Sequence, residues 1–168
     1  MIEFRPITEA DISQIQEWLD REHVARWWRN EDAATYLAQP HEHFLIVLDG
    51  RPVGMIQTYL VDDYPDWKAI VGDEPRLAGV DLFIGEEKLT GQGLGPRVLA
   101  QFADEMAFAN AATSAVVATV EEGNSRSWRV FEKAGFRHVR DVEEEGLPHR
   151  LMRLERPLRS DRGPVQDP

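Results

Sequence analysis

The sequence predicts a mixed α/β (α+β) domain in which helices cross a layered sheet. Two observations carry that reading. Short segments of alternating or continuous apolar residues interleave with segments whose apolar residues recur three and four apart. Along the chain they run strand, helices, three strands, helix, strand, helix, two strands, the order of a single layered domain.

Ile2 to Arg5 reads as a short strand closed by Pro6. Thr8 can cap a helix carrying Ile12, Ile15, Trp18 and Leu19 on one face, with Asp11 in the first turn where the helix dipole favours an acid. A second helical stretch is expected over Ala33 to Ala38. His43 to Leu48 reads as a strand, and Asp49-Gly50 is a two-residue hairpin signal. The return strand runs from Pro52 to Val61, with Pro52 near its start, where no ladder donor is required. From Asp62 to Pro75 the pattern breaks into Asp, Pro, Gly and Trp, so a long loop is expected.

Leu77 to Ile84 is the next strand. The turn Gly91-Gln92-Gly93-Leu94-Gly95 then opens a helix with Val98, Leu99, Phe102, Ala103 and Met106 on its inner face. Ser114 to Val120 is β-branched and apolar, as a buried central strand should be. Ser125 to Ala134 forms a helix stopped by Gly135. Phe136 to Val142 and His149 to Glu155 make a final antiparallel pair around Glu145-Gly146, and the tail from Pro157 is expected to fray. There is no internal repeat, and one domain over residues 1–156 is expected.

The 168 residues carry 30 Asp+Glu against 19 Lys+Arg, a formal net charge of −11, which argues against a nucleic-acid backbone or an anionic membrane surface as partner. The absence of cysteine removes disulfides, thiolate metal sites and a cysteine nucleophile. The N-terminus lacks a signal-peptide pattern and no apolar run approaches a membrane span, so a cytoplasmic protein is expected. His41 and His43 could face one way on a strand but have no third ligand nearby, so no metal is expected.

A glycine turn between a strand and a helix lets backbone N–H groups approach an anion closely. Pro96-Arg97 after the last glycine excludes a Walker loop, and Pro96 stands where a dinucleotide fingerprint needs its third glycine. Two readings stay open: a phosphate cradle formed by amides around Thr90, Gly91, Gln92, Gly93, Leu94, Gly95 and Arg97, or a tight turn that only starts a helix.

Downstream lies Asn124-Ser125-Arg126-Ser127-Trp128-Arg129-Val130-Phe131-Glu132-Lys133-Ala134-Gly135-Phe136. With the glycine turn and the strand between, this resembles the GCN5-related N-acetyltransferase (GNAT) superfamily. Glu17-Trp18-Leu19, Trp27-Trp28, Gly54-Met55-Ile56-Gln57-Thr58-Tyr59, Trp67 and Gly79-Val80-Asp81 extend the resemblance to the aminoglycoside 6'-N-acetyltransferases. The resemblance implies a single-layer, mostly antiparallel sheet with a central parallel pair flanked by helices. It also implies acetyl-CoA as acyl donor, a cationic amine as acceptor, and a monomer or homodimer. Two positions depart from the superfamily pattern. Thr90 stands where Arg or Gln is common, and Phe131 where a Tyr could act as acid for the departing thiolate.

Acyl transfer to an amine needs a group that helps remove the ammonium proton, a donor to the developing oxyanion, and both substrates held together. Asp81 is the candidate for the first: an acid in an otherwise apolar strand is costly unless it has work or partners. Its other reading is an edge carboxylate satisfied by backbone or by Arg76. The resemblance implies the Phe83 N–H as oxyanion donor, and Leu82, Phe83 and Ile84 as an edge pairing with the pantetheine arm. Asn124 reads as a contact to that arm or as a helix N-cap.

Asp62 to Glu87 contains eight acids and two bases, a rim suited to a cationic acceptor or simply a solvated loop. Asp62, Asp63 and Asp81 are the candidate charges, Gln57 a neutral contact, and Tyr59, Trp67, Trp27 and Trp28 candidate walls for sugar rings. Trp18 belongs to the core, with at least one of Trp27 and Trp28. Glu143 to Glu145 read as a polar hairpin end.

Overall fold

A computed structural model describes residues 1–39 and 42–157. His41 and all but the first residue of the expected frayed tail therefore lie outside the described residues. Seven strands form one sheet: β1 (Ile2–Pro6), β2 (His43–Leu48), β3 (Arg51–Leu60), β4 (Leu77–Ile84), β5 (Ala115–Glu121), β6 (Arg137–Glu144) and β7 (Leu147–Glu155). Their spatial order is β1-β2-β3-β4-β5-β7-β6, and only β4 and β5 run parallel. This is the mixed sheet with a central parallel pair that the resemblance implied.

The helices are α1 (Ile12–Asp20), α2 (Glu22–Ala25), α3 (Pro65–Val71), α4 (Leu94–Phe102) and α5 (Ser125–Lys133). Two expectations change. The segment Asp62 to Pro75 is not a bare loop: Pro65 starts α3 at a position with no intrahelical N–H bond to lose. The helix after the glycine turn remains α-helical only to Phe102 and closes in a π turn over Ala103–Ala107, with Phe108 N–H bonded to Ala103 C=O at 2.9 Å.

The hairpin signals act as their chemistry requires. Asp49-Gly50 and Glu145-Gly146 each put two successive residues at positive φ, 49° and 77°, then 51° and 77°, the twist that a two-residue hairpin needs. Asn124 caps α5 by accepting from the Ser127 N–H at 3.2 Å.

The two faces of the sheet bury different clusters. Val98, Leu99 and Phe102 of α4 and Phe131 of α5 pack with Ile56, Val80 and Val116. Ile15, Trp18 and Leu19 of α1 pack on the opposite face with Leu45, Met55 and Phe83. Trp18 is fully buried, and its Nε1–H donates to Glu86 at 2.9 Å, whose carboxylate also meets Arg21 at 3.2 Å. Its polar tip is therefore paired although its ring is core. Trp18→Phe, which removes that donor, is expected to cost about 2 kcal/mol in a urea melt.

Candidate functional site

The site is built on β4, and its backbone geometry follows from three hydrogen bonds. Thr58 N–H donates to Glu42 C=O, so even-numbered residues of β3 turn toward β2 and odd-numbered ones toward β4. Gly85 N–H donates to Val53 C=O at 2.8 Å, so the odd-numbered residues of β4 face β3. Ser114 N–H donates to Arg76 C=O at 3.0 Å, so the even-numbered ones face β5. Pairing between β4 and β5 stops at Gly79–Val117, yet β4 continues to Ile84 and β5 to Glu121. The strands diverge, and the backbone groups of Val80 and Leu82 point into the gap.

This corrects one expectation. The N–H of Phe83 faces Met55 on β3, not the gap, so the amide able to reach a ligand there is that of Leu82. Ile84 is only partly open, because its carbonyl lies 3.0 Å from His23 Nε2. Phe83 contributes its ring instead, buried edge-on against Trp28 at 5.0 Å and Trp18 at 6.4 Å.

Asp81 lies opposite Gln57 in the β3–β4 register. Gln57 Nε2 donates to its Oδ2 at 2.9 Å and the Tyr59 hydroxyl donates to the same oxygen at 3.1 Å. Oδ1 receives no hydrogen bond from the described residues. The expected alternative partner, Arg76, makes no hydrogen bond or ion pair with Asp81; its backbone N–H donates to Asp62 at 3.0 Å. Burial pushes the Asp81 carboxyl above the usual range; the Gln57 and Tyr59 bonds pull it down, and the charges of Glu144 and Glu31 push it further up. Burial beside Asp81 also holds the Tyr59 phenol well above its ordinary value, so it stays a donor.

Tyr59 reaches Asp81 because residue 79 has no side chain. A Cβ on Gly79 would stand 2.5 Å and 2.6 Å from the Tyr59 ring and 2.9 Å from Trp67. Trp67 packs edge-on behind Tyr59 at 5.4 Å.

Asp81 opens into a cleft of about 310 Å³ at the mouth of the strand divergence. Trp27, Trp28, Gln57, Asp81, Leu82 and Asn124 line it, as does Phe131, so the structure brings these sequence candidates together. Asp62, Asp63, Tyr59 and Trp67 do not line it. Asp62 is held by Lys68 Nζ at 2.7 Å, which also meets Asp73 at 3.3 Å, while Glu74 pairs with Arg153 at 2.7 Å. Asp63 and Tyr59 border a separate cavity of about 400 Å³. Asp62, Asp73 and Glu74 of the expected rim are thus paired with cations and, with Asp63, stand outside the lining of this cleft.

The acids around the cleft come from other segments. Glu31, Glu121, Glu144 and Glu145 join Asp81, so the hairpin end read as merely polar is part of the wall. Tyr36 OH donates to Glu31 at 2.9 Å and Thr119 Oγ1 donates to Glu144 at 2.6 Å, holding both carboxylates in place. No sequence pattern links positions 31, 121 and 144; only the fold does.

At the other end of the gap, Gly91 and Gly93 have φ of 74° and 79°, conformations that glycine adopts without strain. Gly91, Gln92, Gly93 and Arg97 are exposed, and Leu94 anchors the turn in the core. Gly95 lets α4 approach α5, since a Cβ there would lie 3.1 Å from Val130. Thr90 Oγ1 donates to Glu87 C=O at 2.7 Å and accepts from Arg126 at 3.4 Å. Sequence reasoning passed over Arg126, which brings a cation to the turn where Thr90 has none. His43, the described member of the His pair, is buried and stacked on Tyr36 at 4.6 Å. No helix among the described residues is long and apolar enough to cross a membrane.

The model of the acetyltransferase (GNAT) domain family matches residues 8–144. The chain belongs to this family. The aminoglycoside N(6')-acetyltransferases type 1 of Klebsiella pneumoniae and of Serratia marcescens are each 28% identical to this GNAT chain over an alignment of 148 residues, gaps included, and the match covers 80% of this chain and 73% of either relative. Among solved structures, the aminoglycoside acetyltransferase AAC(6')-Ib in complex with coenzyme A and kanamycin superposes with a TM-score of 0.83 at 25% identity, covering 93% of this chain and 95% of that one. An aminoglycoside N(6')-acetyltransferase from Legionella pneumophila, at 20% identity and a TM-score of 0.72, covers 92% of this chain and 91% of its own; it shares the fold.

Proposed function

We propose that this GNAT acetyltransferase, as one domain over residues 1–156, transfers an acetyl group from acetyl-CoA to a primary amine of an aminoglycoside, with the 6'-amine as its target. The observation that carries the reading is the Asp81 carboxylate, with Oδ1 open, in an acidic cleft where β4 and β5 part. The aminoglycoside acetyltransferase relatives point to the same acceptor class.

The residues divide the work. Amides of the Gly91–Gly95 turn and the N-terminus of α4, with Arg126 beside Thr90, suit the pyrophosphate of the donor. The open edge at Val80 and Leu82 suits the pantetheine amides, and Asn124 borders the same gap while capping α5. Asp81 Oδ1 accepts a hydrogen bond from the acceptor ammonium and takes its proton, directly or through water. The amine lone pair then attacks the thioester carbon, and the Leu82 N–H supports the oxyanion. The oxyanion then collapses to the carbonyl, the C–S bond breaks with its electron pair leaving on sulfur, and the second proton on nitrogen passes to the departing thiolate, directly or through water, giving the neutral amide and CoA thiol. A thiol of pKa about 8.5 departs readily as thiolate, so Phe131 in place of a phenol is no obstacle.

Trp27 and Trp28 give flat walls for the sugar rings, and Glu31, Glu121, Glu144 and Glu145 attract the remaining ammonium groups. The test is thiol release from acetyl-CoA with kanamycin, spermidine and a hydroxylamine as separate acceptors. Kanamycin is expected to give the highest kcat/KM. Turnover of spermidine or the hydroxylamine alone would move the acceptor class, and tight CoA binding with no transfer to any amine would remove the catalytic reading.

A further inference from the structure

One of the cleft acids already carries a cation. Arg29, just after the Trp27-Trp28 pair, reaches across to the end of β5 and grips Glu121 at two points, 2.9 Å and 3.3 Å, over 92 residues of sequence. Both residues line the cleft, and the Trp27 ring lies 3.9 Å from where a Cβ of Gly123 would be. The segment that bears Trp27 and Arg29 therefore spans the cleft to the β5 end. Of the five carboxylates there, Asp81, Glu31, Glu144 and Glu145 have no Lys or Arg partner among the described residues.

The geometry points to Arg29 as a tethered competitor for the acceptor: its guanidinium holds Glu121 until a second ammonium of a polycationic acceptor displaces it. This rests on the acetyl-transfer reading of the cleft and adds what sets acceptor selectivity. A monoamine reaches Asp81 and leaves the pair intact. A polyamine sugar that extends to Glu121 must exchange one ion pair for another, so Arg29 takes back part of the gain from its second charge. The pair is partly solvated, with the Arg29 side chain 47% exposed and that of Glu121 20% exposed. Such pairs are modest, which sets the effect at about 2- to 5-fold in affinity.

The test is titration of the intrinsic tryptophan fluorescence with kanamycin and with glucosamine, a monoamine sugar. It compares wild type with Arg29→Gln, Glu121→Gln and the double variant. Arg26→Gln serves as control, because it removes the same charge from an exposed pair with Glu22 outside the cleft lining. Arg29→Gln is expected to tighten kanamycin about 2- to 5-fold without tightening glucosamine equally. Glu121→Gln is expected to weaken kanamycin, and the gain from Arg29→Gln should vanish in its background. The proposal is overturned if Arg29→Gln leaves kanamycin unchanged or weaker, if the gain persists without Glu121, if Arg26→Gln reproduces it, or if no protein binds kanamycin. Failure of the acetyl-transfer reading shows separately, as no thiol release from acetyl-CoA with any amine.

Discussion

Asp81→Asn is expected to lower kcat/KM for acetyl transfer by about 10²- to 10⁴-fold while the protein stays folded. The amide keeps the size of the carboxylate, and its oxygen can still accept from Gln57 and Tyr59. What it loses is the negative charge that orients an ammonium and the basic oxygen that receives its proton. Because burial, with the charges of Glu144 and Glu31, holds the Asp81 carboxyl above its ordinary value, the wild-type kcat/KM should fall as pH drops through that raised value. The stability linkage has the opposite sign from a salt-bridged acid. A carboxyl whose folded pKa is raised binds its proton more tightly when folded, so its contribution to stability improves as pH falls through the folded value and declines as pH rises. At neutral pH Asp81→Asn should therefore melt no lower than wild type. A folded variant with near wild-type turnover would remove Asp81 from the chemistry.

Gly79→Ala has the second largest expected effect, and it acts through Tyr59. The added methyl would meet two rigid rings, Tyr59 at 2.5 Å and Trp67 at 2.9 Å, in a strand fixed on both sides by pairing. Overpacking of this kind costs about 1–3 kcal/mol. That is a fall in Tm on the order of 5 °C for a chain of this size. Relief requires the Tyr59 ring to move, which takes its hydroxyl off Asp81 Oδ2, so kcat/KM should fall about 10- to 100-fold. Tyr59→Phe separates the two effects. It removes the hydroxyl without the clash, and should shift the acid limb of the pH profile upward, since Asp81 loses a donor that lowers its pKa. A Gly79→Ala protein with wild-type melting and turnover would contradict the packing argument.

The elements were legible where a local chemical rule governed them. Asp49-Gly50 and Glu145-Gly146 turn hairpins because both residues must take positive φ, and Asn124 caps α5 because its side chain reaches the Ser127 N–H in the first turn. Asp81 was legible because an acid in Ala78 to Ile84 contradicts the strand around it. The parity of β4 was not legible. Whether Leu82 or Phe83 aims its N–H at the gap depends on register with β3, which no residue in β4 encodes alone. The acidic wall was misplaced for a related reason. Within Asp62 to Glu74, Asp62 and Asp73 share Lys68 and Glu74 pairs with Arg153, away from the cleft, whereas Glu31, Glu121, Glu144 and Glu145 converge on it only once the sheet is assembled.

The most direct measurement is NMR of the product made from kanamycin and acetyl-CoA carrying a ¹³C-labelled acetyl group. The expected result is one new amide, its carbonyl coupled to the nitrogen at the 6' position, absent when Asp81→Asn replaces wild type over the same time. Labelled amide on another ring amine would contradict the assigned regiochemistry, and no labelled amide with wild type would contradict the central claim.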